Sequence, residues 1–428
     1  MTSVRQVAKR VLPPKVIDWV RKRKGLALVK ARGVESREAQ PREPGPTVDH
    51  VVGLEVRLWS TGEAMYAERL ARATHLMPAG TQARVRGSMA LARWDIRNGR
   101  SDLALERIDD VRTSDPVLQA ELDLLRVDCL CELGHGQTAL AVLSRMAGRS
   151  TRDQNVLLRV GYARSLVEEP RNHGSGPLAE ALNVVYDGAR FGMIRRISVD
   201  QPISLDNVAC VVPQSEPKEG LPLVTVITWL PGSPPFRGLS SLVNQSWKHL
   251  EILVLGETDS RDRWLRDHGP FVDDRRITFI SCDIDNDRPW APGFDRATGA
   301  FITTHPPGSW AHPQRIEAQA RALLTDSSLR AAVSSHMYVN HDLAPRSIGL
   351  APRPGLVGPN PLSTMVRSSG LGPEGVPAAL DRVARAYSPV SGALDPVDEV
   401  SLVSPDIPLT LSLSRARHAE TAIEAVPG

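Results

Sequence analysis

Residues 222–255 read PLVTVITWLPGSPPFRGLSSLVNQSWKHLEILVL, and they decide the fold of the C-terminal half of the chain. Two runs rich in β-branched and leucine side chains, at 223–228 and 250–255, indicate buried strands. A helix is predicted between them, at about 238–246. Two strands joined by a helix are typical of parallel pairing, because parallel neighbours need a long crossover connection.

The same alternation continues towards the C-terminus. A second helix is predicted at about 262–268, a third strand at 276–280 and, after a short helix, a fourth strand at 299–304. Strands that alternate with helices form a parallel sheet whose two faces are covered. Ligands of such sheets lie beyond the carboxyl ends of the strands, so we expect the functional site there.

The segment before this sheet has a different pattern. From about residue 62 to 190 it is rich in Ala, Leu and Arg and is predicted to be helical. GRSDLAL at 99–105 is matched by GHGQTAL at 134–140, an offset of 35 residues, and a looser copy ends at 178–182. This spacing resembles the tetratricopeptide family. Such units stack and leave a concave surface for a partner protein, but a helical spacer that binds nothing explains the pattern equally well.

The first 32 residues differ from the rest of the chain in charge. They carry ten Lys/Arg and one acid, whereas the remainder carries 42 basic and 48 acidic residues. Val16, Ile17 and Trp19 are interleaved with these cations, so the arm could lie on an anionic membrane surface. A solvated tail is the commoner role of such a segment. Because the remaining surface is acidic, no nucleic-acid partner is predicted.

The sequence also indicates a compartment. No apolar run reaches the roughly 18 residues of a membrane-spanning helix, and the first residues lack the apolar region of a signal peptide. The four cysteines form no C-x-x-C pair, which excludes zinc-ribbon and thioredoxin-like sites and favours reduced packing residues. The predicted location is cytoplasmic, peripheral on the inner face of the plasma membrane if the arm binds lipid.

Four stretches in a fixed order carry a family resemblance. They are PLVTVI at 222–227, SLVNQSW at 241–247, ATGAFIT at 297–303 and WAHPQRIE at 310–317. Together they resemble glycosyltransferase family 2, whose members are inverting enzymes of the GT-A fold, over about residues 221–415. The resemblance implies an α/β domain, with a GT-A-like, mostly parallel sheet and flanking helices, behind the all-α helical-hairpin region. It also implies a nucleotide sugar as the bound partner.

One family motif is missing. The family holds Mg²⁺ or Mn²⁺ with an Asp-x-Asp motif after the fourth strand, since carboxylates suit a hard divalent cation beside a diphosphate. The aligned residues here are Pro306, Pro307, Gly308 and Ser309, and none is acidic. We therefore predict a degenerate member with no metal cofactor. Mg²⁺ or Mn²⁺ would need a relocated site, and the acidic run at 283–287 has an incomplete ligand set that favours a surface loop.

The resemblance also points to side chains at the strand ends. Thr228 ends the predicted first strand and Trp229 follows it, and His305 follows the predicted fourth strand. Glu257 and Asp259 follow the second strand, where the family carries the acidic side chain that contacts the nucleotide base. These five residues are the predicted nucleotide-sugar-binding candidates.

Catalysis needs further groups. An inverting transferase requires a carboxylate base near the acceptor hydroxyl. Glu374 and Asp381 are the nearest candidates, although neither aligns with the acidic motif of the family, so the catalytic base stays unknown. Without a metal, cations must offset the charge of the diphosphate. Arg237, Arg315 and Arg346 are the candidates for this, although an ordinary surface or helix-face position is the commoner role for each.

The predicted organisation has six parts: a basic amphipathic arm at 1–32, a linker at 33–60, a helical repeat-like domain at 61–190, a linker at 191–220, a GT-A-like domain at 221–415 and a tail at 416–428. Two functions fit it. The first is a glycosyltransferase 2-like protein that transfers a sugar from a nucleotide sugar in cell-envelope polysaccharide or glycolipid synthesis. The second is a non-catalytic pseudo-glycosyltransferase scaffold whose helical domain binds a partner protein.

Overall fold

The structure is a computed structural model, and it describes most of the chain after residue 46. The described ranges are 47–61, 63–109, 111–147, 154–168, 176–201, 203–210, 212, 220–230, 238–257, 262, 273–282, 291–306, 308–339, 343, 357–359, 363–369 and 400–413. The predicted arm at 1–32, the first part of the linker at 33–60 and the tail at 416–428 lie outside these residues.

Eight helices build the first part of the described chain. They are α1 Val48–Thr61, α2 Ala64–Leu76, α3 Gln82–Arg97, α4 Ser101–Asp109, α5 Pro116–Glu132, α6 Gly136–Ala147, α7 Gln154–Glu168 and α8 Gly176–Gly188. Sequence signals set their ends. Asp115, for example, caps α5 by accepting hydrogen bonds from the amides of Val117 and Leu118, and Pro116 occupies the first helical position.

The helix–turn–helix repeat has a backbone cause. Gly99 and Gly134 have φ angles of 72° and 75°, in the left-handed region that favours glycine. In both turns, the glycine amide donates to the carbonyl three residues back and the next amide to the carbonyl five residues back. Arg190 closes α8 with the same two hydrogen bonds at a φ of 62°. The repeated heptapeptide therefore marks two equivalent helix ends.

The linker predicted at 33–60 is corrected from residue 48 onward, because α1 lies there. Val51, Leu58 and Trp59 are buried, and Trp59 packs edge-on against Trp94 of α3 with ring centroids 5.8 Å apart. Apolar residues three, four and seven positions apart give α1 a helical stripe. The proline-containing residues before it hid this stripe in the sequence analysis.

The linker predicted at 191–220 is also corrected in part. An antiparallel pair lies inside it, formed by β1 Ile194–Arg196 and β2 Val208–Cys210. Ile194 and Val208 are buried, so this hairpin contributes to the core and does not merely connect two domains.

A nine-stranded sheet forms the second part of the molecule. Its strands are β3 Val224–Trp229, β4 Leu250–Gly256, β5 Ile277–Ser281, β6 Phe301–His305, β7 Ser309–Ala311, β8 Ala331–Val339, β9 Val357–Pro359, β10 Met365–Arg367 and β11 Val400–Leu413. Their order is β5-β4-β3-β6-β10-β8-β11-β7, and β9 pairs with β8. Strands β7, β9 and β10 run against the strands they pair with, and the others share one direction. The predicted fold class is confirmed: a GT-A-like, mostly parallel sheet follows an all-α region.

Helices cover both faces of the sheet around β3. Helix α9 Gly238–Val243 and helix α11 Arg315–Thr325 pack on one face, against the side chains of Val224 and Val226. The short helix α10 Ala291–Phe294 lies on the opposite face, where Phe294 packs with Ile227. These two layers leave the carboxyl ends of β3, β4 and β6 as the place for a site.

The helical part and the sheet share one hydrophobic core. Leu182 and Tyr186 of α8 belong to the same buried cluster as Met337 of β8 and Leu411 of β11. The Tyr186 hydroxyl donates a hydrogen bond of 2.7 Å to the carbonyl of Pro408. Residues 46–428 form one compact unit. Within the described residues, no helix combines the length and the hydropathy needed to cross a membrane.

Candidate functional site

Three strands bring four predicted site residues to one edge of the sheet. Thr228 of β3 and His305 of β6 are register partners on adjacent parallel strands. Trp229 ends β3, and Glu257 directly follows β4, the other neighbour of β3. Asp259, Glu374, Asp381, Arg237, Arg346 and the acidic run at 283–287 lie outside the described residues.

The strand pleat divides these four residues between two faces. Thr228 and His305 lie on the face that α9 and α11 cover, whereas Trp229 belongs to the apolar cluster on the α10 face. Thr228 and His305 are fully buried, Trp229 is nearly so, and Glu257 is exposed. The edge therefore presents Glu257 to solvent and keeps Thr228 and His305 inside.

Two hydrogen bonds span the place of the missing metal motif. His305 donates from Nε2 to the carbonyl of Ser309 at 3.0 Å, and the amide of Ser309 donates to the carbonyl of Pro306. A side chain at Gly238, the first residue of α9, would lie 2.8 Å from this imidazole. Glycine at that position therefore allows the helix to close over the turn.

Burial, together with the charge of Arg315, lowers the pKa of His305 to about 3. The imidazole is therefore neutral at physiological pH, with its proton on Nε2 because that nitrogen donates to Ser309. Its Nδ1 is left as an acceptor, and no residue in the described part of the chain donates to it. The hydroxyl of Thr228, on the neighbouring strand, is also buried without a hydrogen-bond partner among the described residues.

The most unusual group is the guanidinium of Arg315, the first residue of α11. It is fully buried, and its one hydrogen bond, from Nη1 to the carbonyl of Thr304, is 3.4 Å long. Nε and Nη2 have no partner, and no carboxylate of the described residues lies within ion-pair distance. Burial lowers the pKa of this guanidinium to about 9, so it stays charged at neutral pH. Since a buried charge is costly without compensation, this position favours an anion.

No group of three His, Cys, Asp or Glu side chains suited to a metal occurs among the described residues. His312, seven residues after His305, donates from Nε2 to the carbonyl of Gly192 at 2.8 Å and accepts at Nδ1 from the amide of Gln314. Both of its nitrogens are thus occupied, and the Nε2 bond joins the segment after α8 to the end of β7.

The sequence analysis missed a structural role for the 241–247 stretch. The Gln245 amide donates to the carbonyl of His312 at 3.0 Å, and its oxygen accepts from the amide of Ile316 in the first turn of α11. Trp247 donates to the carbonyl of Pro222, just before β3. The two bonds of Gln245 hold the start of α11 against the segment after α9 and so position Arg315. The sequence signal for this structural role is Gln245, a polar side chain near the end of the helix predicted at about 238–246.

Comparisons with known proteins give a distant structural likeness. No family model matches the chain, and no curated protein matches it. Among solved structures, a crystal structure of S. aureus TarS residues 1–349 in complex with UDP-GlcNAc is similar, with 14% identity and a TM-score of 0.31. The likeness covers 45% of this chain and 58% of that chain, so the chain spans little more than half of the TarS fragment. The GT-A-like description consequently rests on the strand order of the sheet itself.

Proposed function

We propose that the chain is a glycosyltransferase-like protein that binds the diphosphate of a nucleotide sugar through a cation and without a metal. The observation that carries the proposal is the buried, uncompensated guanidinium of Arg315 behind the carboxyl end of β6. Its position at the N-terminus of α11 adds the positive end of the helix dipole. A fixed cation of this kind supplies the charge stabilisation that a metal gives a departing diphosphate.

The rest of this proposal follows the family resemblance. Glu257 is exposed at the end of β4, where it can accept hydrogen bonds from a nucleotide base. Glu374 or Asp381 would take the proton of the acceptor hydroxyl, and the transferred sugar would enter a cell-envelope polysaccharide or glycolipid. The protein would act in the cytoplasm, at the inner face of the plasma membrane.

A thermal-shift screen of UDP, GDP and TDP sugars, with and without Mn²⁺, tests the donor site. A ligand at 100 times its dissociation constant adds about 2.7 kcal/mol of stability, and we expect this shift without Mn²⁺. Glu257→Ala should abolish it, whereas Glu106→Ala, an exposed glutamate of α4, should not. A shift that strictly requires Mn²⁺ would contradict the metal-free site.

Arg315→Met gives a second, independent readout. Methionine fills a similar volume without a charge, so this variant removes an uncompensated buried cation and should be at least as stable as the wild type. If Arg315 holds the diphosphate, the nucleotide shift disappears although the fold is intact. A retained shift in the stable Arg315→Met variant would exclude Arg315 from the donor site.

The second candidate function is a non-catalytic scaffold, and the closed turn favours it. Because His305, Ser309 and Arg315 are all buried, a diphosphate cannot touch them in the described conformation. Arg315 would then be the remnant of a site whose carboxylates were replaced at 306–309. No shift with any nucleotide, with or without Mn²⁺, would favour this scaffold over the transferase.

Membrane attachment through residues 1–32 is a separate part of the proposal. The ten basic residues of this arm should bind vesicles that contain anionic lipid. Each cation near the surface should contribute about 1 kcal/mol to the free energy of binding. Sedimentation with such vesicles should be lost when residues 1–32 are deleted, and also at high salt. A full-length chain that does not sediment with them would contradict this attachment.

A further inference from the structure

The helical part contains a cavity that the donor site does not use. It has a volume of about 390 Å³ and lies among α5, α6, the start of α7 and the segment that follows α4. This volume is within the range of about 300–1,000 Å³ that is typical of ligand pockets. Three arginines, Arg112, Arg126 and Arg145, line it together with apolar side chains that include Leu124 and Val142.

The three arginines outnumber the acids around the cavity. Asp123 accepts a hydrogen bond of 2.7 Å from Arg126, and it is the one carboxylate in the cavity lining. Asp109 lies 4.0 Å from Arg126 with a largely exposed side chain. Among the described residues, Arg112 donates to backbone carbonyls only. Arg145 has no hydrogen bond or ion pair with any described residue. The cavity therefore carries positive charge that the described chain does not neutralise.

Arg126 is held in a fixed orientation. Its Nη2 donates to the carbonyl of Ile108 at 2.8 Å, and its Nη1 to Asp123, so the guanidinium is anchored at both ends. The Nε atom is buried without a hydrogen-bond partner among the described residues. Burial, and then the charge of Arg112, lowers the pKa of Arg126. These features describe a preorganised cationic group that lies close to a second cation, Arg112.

We infer that this cavity is a docking site for an acidic peptide segment of a partner protein. Guanidinium groups match the geometry of carboxylates, and Arg112 and Arg145 stand exposed where such groups could approach. The apolar lining formed by Leu124 and Val142 suits an apolar side chain of the same segment. A small inorganic anion would leave this apolar lining unused. The inference depends on the helical part alone, so it is independent of nucleotide binding.

A peptide selection on the full chain tests this site without assuming a sequence. A random peptide library displayed on phage is panned against the full-length protein, and enriched peptides are measured by fluorescence anisotropy. We expect the enriched peptides to combine Asp or Glu with apolar residues. Replacing their acids by Asn and Gln should weaken binding by at least about tenfold, as should Arg145→Glu. Arg72→Glu, at an exposed arginine of α2, is the matched control and should change binding less than twofold.

Three outcomes would overturn the inference. The first is an enriched pool that is neutral or basic, or that yields no binders. The second is a set of acidic peptides whose binding Arg145→Glu leaves unchanged. The third is displacement of the peptides by millimolar inorganic phosphate, together with stabilisation of the wild type, but not of the Arg145→Glu variant, by phosphate alone. That result would assign the cavity to a small anion. Since Arg145 has no partner among the described residues, its substitution should leave the fold intact, as circular dichroism can verify.

Discussion

Two fully buried arginines differ in whether a carboxylate among the described residues pairs with the guanidinium. Arg159 of α7 donates from Nε and Nη2 to both oxygens of Asp128 in α5, at 2.7 and 2.8 Å. Arg315 is equally buried, but among the described residues its guanidinium donates a hydrogen bond only to the carbonyl of Thr304. A paired buried arginine is a structural cross-link between helices, whereas an unpaired one either has a missing ligand or reduces stability. This contrast separates Arg315 from the ordinary helix-face position that its sequence context also allowed.

Two buried histidines predict how stability depends on pH. Burial lowers the pKa of His305 to about 3, aided by Arg315, and that of His312 to about 4. The unfolded chain takes up these protons near pH 6.5, and the folded chain does so only near pH 3–4. Stability is therefore complete above about pH 6.5 and falls as the pH drops from there towards 4, by up to about 1.4 kcal/mol per pH unit for each histidine.

Urea unfolding at several pH values between 7 and 5 measures this dependence. His312→Gln should lower stability at pH 7, because it removes the bond to Gly192, but it should also reduce the slope by roughly half. A free energy of unfolding that does not change between pH 7 and 5 would contradict the buried, neutral state of both rings.

At the residue scale, sequence alone could name the site candidates but not their surroundings. It placed Thr228, Trp229, Glu257 and His305 at strand ends, and the structure brings all four to one edge of the sheet. It could not show that His305 bonds to a carbonyl four residues later, or that Arg315 lacks a carboxylate. Both facts depend on contacts between elements, which local pattern does not contain.

At the element scale, the close packing of α7 against α8 depends on Gly161. A Cβ at Gly161 of α7 would lie 2.6 Å from the Cβ of Ala181 and 2.9 Å from the carbonyl of Pro177, both in α8. The backbone carbonyl cannot move aside independently of its helix. Gly161→Ala should therefore separate α7 from α8 and destabilise the protein by about 1–3 kcal/mol.

A second glycine provides the matched control for this prediction. Gly53 lies within α1 and has no atom within 4 Å of the position of an added Cβ. Gly53→Ala should stabilise the protein by up to about 1 kcal/mol, because alanine is the better helix former. Urea unfolding of both variants measures the difference, and destabilisation by Gly53→Ala or neutrality of Gly161→Ala would contradict this packing.

Elements with a strong local pattern were predictable from the sequence, and those with conflicting signals were not. The β-branched runs at 223–228 and 250–255 correspond to β3 and β4. Strand β11 was not predicted, since Pro405 and Pro408 interrupt its sequence and proline usually excludes an internal strand. The structure accommodates them with register shifts between Val403 and Pro408 and between Pro408 and Thr410, where the ladder with β8 is irregular.

At the scale of the whole molecule, the sequence predicts two separate domains, whereas in the structure one buried cluster contains residues of both parts. The change in composition near residue 190 suggested a boundary, but the segment after α8 bonds to two side chains that follow β7. Gly192 accepts a hydrogen bond from His312 and donates one to the side chain of Gln314. Composition reports what each segment is made of, and it cannot report which buried faces meet.

This shared core predicts that the helical part and the sheet unfold together. Tyr186 packs against the ring of His312 at a centroid distance of 4.8 Å and donates a hydrogen bond to the carbonyl of Pro408. Separating the two parts would therefore expose this ring to water and break the hydrogen bond. Replacing Trp59 and Trp94 by Phe removes the two described tryptophans of the helical part. Fluorescence then follows Trp229, Trp247 and Trp310 of the sheet region, together with the tryptophans outside the described residues, while far-ultraviolet circular dichroism is dominated by the helices.

We expect the two signals to give coincident urea transitions, since coincidence of different probes is the test for one cooperative unit. Tyr186→Ala should separate them, because it removes both the ring and the hydroxyl from the interface. The more exposed Tyr66→Ala of α2 is the matched control and should leave them coincident. Two transitions in the background variant itself, before any change at Tyr186, would show that the buried cluster between α8 and β11 is too weak to couple the parts. In that case the two parts on either side of the compositional boundary near residue 190 would unfold as separate cooperative units.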